Sequence, residues 1–150
     1  MVVRQARFED RAPVIELIKG YFAFYHVPFV GETKLGALLD ALDQHPDRGA
    51  QLVAEADGRL QGFATLYSCY DTLLADRILV MNDLFVDPAA RDRGVGAALY
   101  DASLAYAAGH GYLRLDWVTA EDNHGAQRFY ERHGGRRSPW VSYSATVGAG

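Results

Sequence analysis

Two short patterns in this 150-residue chain set residues suited to chemistry at spacings that a fold can use. The first is Arg91-Asp92-Arg93-Gly94-Val95-Gly96-Ala97, which follows an apolar run closed by Val86-Asp87-Pro88. Gly94 and Gly96 carry no side chain where a ligand would have to approach the backbone, and Arg91 and Arg93 supply positive charge. Val95, Ala98, Leu99, Ala102 and Tyr106 recur at helical spacing, so a helix begins inside this stretch. Its first turn leaves N–H groups unpaired at the positive end of the helix dipole, which makes a candidate anion site. Asp92 opposes an anion, but the two arginines outnumber it. The second pattern is Asn123, Ala126, Phe129 and Tyr130, whose spacing puts them on neighbouring parts of one helical face.

Three phosphate-binding patterns compete for the first stretch, beside the alternative of an ordinary turn with glycines for tight packing. A P-loop needs Lys and Ser or Thr after its last glycine, and here Ala97 and Ala98 follow Gly96. A dinucleotide fingerprint needs a third glycine, and Leu99 stands in its place. The third is a diphosphate site for coenzyme A. With the second pattern added, the chain resembles the GNAT superfamily of N-acetyltransferases. Arg91-x-x-Gly94-x-Gly96 matches that family's diphosphate loop, and Asn123-x-x-Ala126-x-x-Phe129-Tyr130-x-x-x-Gly134 matches its second motif. Asp83-Leu84-Phe85-Val86 with Pro88 is also similar to the family. Leu17-Ile18-Lys19, Gly62-Phe63-Ala64, Tyr67 and Tyr70-Asp71 resemble its diamine and thialysine acetyltransferase branch.

The resemblance implies acetyl-CoA as donor and direct transfer to a small-molecule amine in a ternary complex, with no metal. Cofactor contacts then fall on Leu84, Phe85 and Val86 of a strand, on Arg91, Asp92, Arg93, Gly94, Val95, Gly96 and Ala97 of the loop, and on Asn123, Ala126 and Tyr130. It also implies that the strands on either side of the cofactor splay apart, and a bulge near Leu84-Phe85 would aim a backbone N–H at the thioester oxygen. Tyr130 is the expected general acid for the departing thiolate, because a phenol keeps its proton until about pH 10. As a plain residue of a helical stripe it would be a core aromatic. Asn82 stands where polyamine-type members commonly carry a Glu. Asp83, a carboxylate in an apolar run, is the candidate base or a hydrogen-bonded structural residue. Glu121 and Asn82 could contact a cationic acceptor. Tyr25 belongs to an aromatic stretch with Tyr21, Phe22 and Phe24 that cannot all face inward, so part of it should line a cleft or a homodimer interface. Protein N-terminal or lysine acetylation and a catalytically silent acyl-CoA-binding module are the alternative functions.

The elements that must position these residues mix two periods. Residues 2–7 read as a strand, and Asp10 as the N-cap of a helix carrying Val14, Leu17, Ile18, Tyr21 and Tyr25. Thr33 would cap a second helix with Leu35, Leu38, Leu39 and Leu42. Residues 51–55 and 60–67 flank Asp57-Gly58, a dipeptide suited to a tight hairpin. Residues 78–86 form an apolar strand in which Asn82, Leu84 and Val86 alternate with Met81, Asp83 and Phe85. The helix after Gly94, a strand at 113–119, the Asn123 helix and a last strand at 140–146 complete the order β-α-α-β-β-β-α-β-α-β. The fold class is α+β, a mixed and mostly antiparallel sheet with helices on both faces, forming one N-acetyltransferase domain over residues 1–150.

Composition narrows the function classes. A hydrophobic fraction of 49% with 23% charged residues argues against wholesale disorder. Fifteen Lys+Arg against 19 Asp+Glu give a net charge of −4, unsuited to nucleic acid or an anionic membrane. One cysteine, Cys69, excludes an internal disulfide and a multi-Cys zinc module, and reads as a small buried residue at a strand end. His26, His110, His124 and His133 show no metal-type spacing. A cytoplasmic location is expected.

Overall fold

The computed structural model describes residues 1–148, in two compact units divided after Val118. The first unit holds strands β1 (Val2–Gln5), β2 (Gly49–Ala56), β3 (Arg59–Asp71), β4 (Asp76–Val86) and β5 (Leu115–Asp116), with helices α1 (Arg11–Phe24), α2 (Glu32–Gln44) and α3 (Val95–Gly109). The second holds α4 (His124–Arg132). The five strands form one sheet in chain order, antiparallel except for the β4–β5 pair. The class and mixed sheet are those expected, and no described helix is long and apolar enough to cross a membrane.

Register assigns the two faces. Val53, Phe63 and Phe85 are cross-strand partners or share a strand parity, and they pack with Val14, Ile15, Leu17 and Ile18 of α1 and Leu35 and Leu39 of α2. Their neighbours point the other way, toward α3. A Cβ on Gly62 would lie 3.0 Å from Leu99 and 3.3 Å from Val95, so the close seat of α3 depends on that glycine. Val95, Leu99, Ser103 and Ala107 form the buried stripe of α3, and Ser103 Oγ donates to the Leu99 carbonyl at 2.8 Å. Helix α2 buries Leu35, Leu39 and Leu42 while Leu38, at the rim of the stripe, stays exposed.

Several expected boundaries are corrected. Gly31 occupies the N-cap position of α2, so Thr33 lies inside the helix. Asp57 and Gly58 both take positive φ (53° and 71°), the backbone of the expected hairpin turn. Cys69 is exposed on β3, its Sγ donating to the Tyr70 carbonyl at 3.3 Å, and is no core residue. The strand expected at 113–119 shrinks to Leu115–Asp116, because it meets β4 only at Leu79 and Val80. Residues 140–146 form no strand, and Trp140, Val141 and Tyr143 are exposed. Alternation supplies strand propensity, but a strand exists only where a ladder partner is met.

Asp10 follows a different economy from the expected helix cap. Its carboxylate accepts from Arg4 Nη1 (2.6 Å), Arg4 Nη2 (3.1 Å) and the Arg7 N–H (2.6 Å), and caps no N–H of α1. Arg4 also donates to Glu55 Oε2 at 2.7 Å, tying β1 to β2 and to the start of α1. The Arg4 hydrogen bonds hold the Asp10 carboxyl below the ordinary carboxylate range. Arg4→Met should therefore cost about 2 kcal/mol at neutral pH, since it leaves two facing carboxylates without their counter-charge. A depressed carboxylate pKa stabilises above the unfolded value and loses that contribution as pH falls through the folded one. Urea denaturation should accordingly show the wild-type advantage narrowing in acid; a gap independent of pH would contradict this.

Candidate functional site

The junction from β4 to α3 is built for backbone exposure. Asp87 Oδ1 accepts from the Ala89 N–H at 2.9 Å and closes a short helical turn over Pro88–Ala90. Asp92 (φ 61°) and Gly94 (φ 79°) then lie in the left-handed region, and Gly94 is the N-cap of α3. No side chain among the described residues caps that terminus, and the first helical bond is Ala98 N–H to the Gly94 carbonyl at 3.0 Å. The N–H groups of Val95, Gly96 and Ala97 are thus left over by helix geometry. A Cβ at Gly94 would meet nothing within 4 Å, and one at Gly96 would touch only Val86 at an ordinary 3.7 Å. Packing asks for a glycine at neither place, in contrast to Gly62. Arg91, Asp92 and Arg93 are exposed, and the Arg91 guanidinium sits 5.3 Å from the Phe24 ring centroid, a cation–π contact that helps orient it.

Beside this entrance the sheet is open. β4 pairs with β5 at Leu79↔Leu115 and Val80↔Asp116, so, among the described residues, 81–86 have a strand partner on the β3 side alone. The ladder to β5 thus ends before the segment for which the resemblance implies a splay. The irregularity in β4 lies elsewhere than expected. Thr65 pairs with Asp83 and the adjacent Leu66 with Met81, so Asn82 is the extra, bulged residue and the 84–85 step is regular. Asn and Asp are poor strand formers, which favours the break there. The bulge also reverses parity. Asp83 and Phe85 share a face, as expected, and it is the α1 face, but Met81 lies on the α3 face with Leu66.

A polar row follows on the α1 face, one step along from Val53–Phe63–Phe85. It runs Gln51, Thr65, Asp83 across three strands. Thr65 Oγ1 donates to Gln51 Oε1 at 3.0 Å, both residues being buried, and Gln51 Nε2 has no partner among the described residues. Asp83 is half-buried and accepts from Asn82 Nδ2 at 3.1 Å. Two residues further, half-buried Tyr67 has its phenol pushed up to about 12, chiefly by burial and also by the Asp83 charge. Tyr21 of α1 meets Phe63 and Phe85 edge-on at 5.9 and 6.0 Å, and the exposed Tyr25 packs on Tyr21 at 5.0 Å.

In the second unit, Asn123 caps α4, its Oδ1 accepting from the Ala126 N–H at 3.1 Å. Tyr130 is half-buried in the last turn, its ring 5.2 Å from that of Phe129. Its carbonyl accepts from the Gly135 N–H at 2.9 Å. Glu121 is exposed, and its carbonyl takes the Gln127 amide at 2.8 Å.

The profile of the acetyltransferase (GNAT) family matches residues 15–135. The chain belongs to the GNAT family. It is 34% identical over 134 residues to the uncharacterised N-acetyltransferase YhfO of Bacillus subtilis strain 168, covering 89% of each chain. A crystal structure of a probable acetyltransferase superposes with a TM-score of 0.87 at 26% identity over 99% of both chains. The aminoglycoside N-acetyltransferase AAC(6')-Iy, solved with CoA, shares the fold at TM-score 0.76 and 21% identity, over 97% of this chain and 99% of its own. Membership makes the chain an acetyl-CoA-dependent N-acetyltransferase acting on an amine. The α3 entrance fits such a donor: unspent N–H groups, a glycine at 96 that neither packing nor a positive φ demands, and the exposed Arg91 and Arg93 nearby.

The acetyltransferase fold brings Leu84, Val86 and the Arg91–Ala97 loop into one unit with Asp83, Asn82 and Tyr25. Phe85 and Val95 bury their side chains in the core, so only their backbones can meet a ligand. Asn123, Ala126, Tyr130 and Glu121 lie in the other unit. Sequence reading picked out Tyr67 only through the branch resemblance and did not place it in a row with Gln51 and Thr65. The signal for that row was a Gln and a Thr inside the short apolar stretches 50–54 and 63–66.

Proposed function

We propose that this chain transfers the acetyl group of acetyl-CoA directly to the primary amine of a small molecule, such as a polyamine or an amino acid, as one catalytic domain. The observation that carries the reading is the glycine-relieved entrance of α3 beside an unpaired strand edge. Loop N–H groups at Val95, Gly96 and Ala97, with Arg91 and Arg93, hold the diphosphate. The backbone of Leu84 and Val86 holds the pantetheine arm by strand addition. Asn123 and Ala126 complete the cofactor contacts. The similarity of Leu17-Ile18-Lys19 and Tyr70-Asp71 to the small-amine branch supports a compact acceptor.

Bound acetyl-CoA supplies an activated acyl carbon and a thiolate leaving group. The protein supplies proton transfer. An alkylamine has a pKa of about 10.4, so near neutrality only about one molecule in a few thousand is the free nucleophile. Asp83, on the α1 face beside the bulge, takes the ammonium proton directly or through water. Tyr130 delivers a proton to the departing sulfur. A panel of polyamines, lysine analogues, amino acids and a peptide, read by release of free CoA, tests the function. Acetylation of at least one small amine in preference to the peptide is expected, and activity on no member would overturn it.

A further inference from the structure

Resting on that reading, we propose that Tyr67 selects the acceptor: its hydroxyl donates to an oxygen of the substrate while Asp83 receives the ammonium, so that amines bearing an ether, hydroxyl or carbonyl oxygen are preferred.

Placement comes first. Asp83 pairs with Thr65, and Tyr67 lies two residues along β3 on the same side of the sheet. Such diagonal neighbours lie roughly 7–8 Å apart, their Cβ atoms somewhat closer, a gap that a small molecule of a few bonds can bridge. Asp83 lies next to Leu84, at the cofactor end of the strand, and Tyr67 is further away opposite Val80. The amine therefore belongs at Asp83 and the rest of the acceptor at Tyr67.

Chemistry assigns the roles. A carboxylate only accepts hydrogen bonds and suits an ammonium. The Tyr67 phenol, raised to about 12 by burial and by Asp83, remains a donor throughout the working range. It makes no hydrogen bond among the described residues. An ammonium offers no lone pair, so a donor beside it needs a different acceptor atom. A substrate oxygen provides one. The buried Gln51 is a separate observation in the same row: it gives Oε1 to Thr65 and leaves Nε2 unspent. Buried donors are rarely left unmatched, so hydrogen-bonding capacity on this face exceeds what the chain itself consumes. A face built only for an alkyl chain would have no use for it.

The test compares cadaverine with its ether analogue, in which oxygen replaces the central methylene. Both diamines are assayed for CoA release and titrated calorimetrically into CoA-loaded protein, with wild type and Tyr67→Phe. Comparing the ether-to-methylene ratio between the two proteins cancels the difference in amine basicity. Wild type should favour the ether about tenfold in kcat/KM and in affinity, the effect of one net hydrogen bond. Tyr67→Phe should bring the ether-to-cadaverine ratio down to about one in both kcat/KM and affinity. No preference in wild type, or an equal loss for both diamines in the variant, would overturn the assignment. If other amines are acetylated and both diamines refused, only this inference falls. If no amine is acetylated at all, the transferase reading falls and takes it along.

Discussion

Gly96→Asp weakens acetyl-CoA binding at least a hundredfold in calorimetric titration, while the unfolding midpoint stays close to wild type. The two halves of that result come from one geometry. A Cβ at residue 96 would touch only Val86, at 3.7 Å, and residue 96 has no positive φ, so the fold accepts a side chain there. A carboxylate in the first turn of α3 even favours the helix dipole, by about 0.3–1 kcal/mol. The same carboxylate fills the space in front of the unspent N–H groups and sets negative charge against a diphosphate. A hundredfold loss corresponds to about 2.7 kcal/mol, within reach of one steric and one electrostatic conflict. Gly62 supplies the contrast. There a Cβ would lie 2.6 Å from the Phe85 carbonyl oxygen, and any replacement destabilises the fold. Wild-type affinity in Gly96→Asp would refute the loop assignment.

Tyr130→Phe lowers kcat about a hundredfold with little change in the dissociation constant of acetyl-CoA. The substitution keeps the ring that packs on Phe129 and removes the hydroxyl, so the helix face is retained while the proposed proton donor is lost. General acid catalysis typically contributes 10²–10⁴-fold, and the lower part of that range applies where water can protonate a thiolate in its place. A thiol has a pKa of about 8.5, so a thiolate can depart before it is protonated and the residual rate should be measurable. Loss of cofactor affinity at unchanged turnover would remove Tyr130 from the chemistry and leave it a packing residue.

Local chemistry made much of this protein legible. The α3 entrance depends on residues adjacent in the chain: a proline turn, a left-handed Gly94, and an apolar stripe beginning at Val95. The Asp57-Gly58 hairpin is equally local, as is the start of α4 at Asn123. In each case the partners are a few residues apart, so spacing and residue type carry the information.

Pairing across the sheet was a different matter. Alternation along β4 put Met81 with Asp83, and only the β3 register shows that Asn82 is bulged and the parity reversed. A one-residue slip exchanges the faces of every side chain beyond it, and nothing within β4 alone records the slip. Residues 140–146 alternate as a strand should, yet no ladder forms there, and residues 113–119 keep only two paired positions. Cys69 is exposed for the same reason, because burial depends on what lies over a strand and not on the strand itself. Residue order therefore determined the family, the helices and the anion-binding turn through short-range geometry. Only the tertiary structure decided that Gln51, Thr65, Tyr67 and Asp83, drawn from three strands, share one face, because strand register is set by contacts between segments distant in the chain.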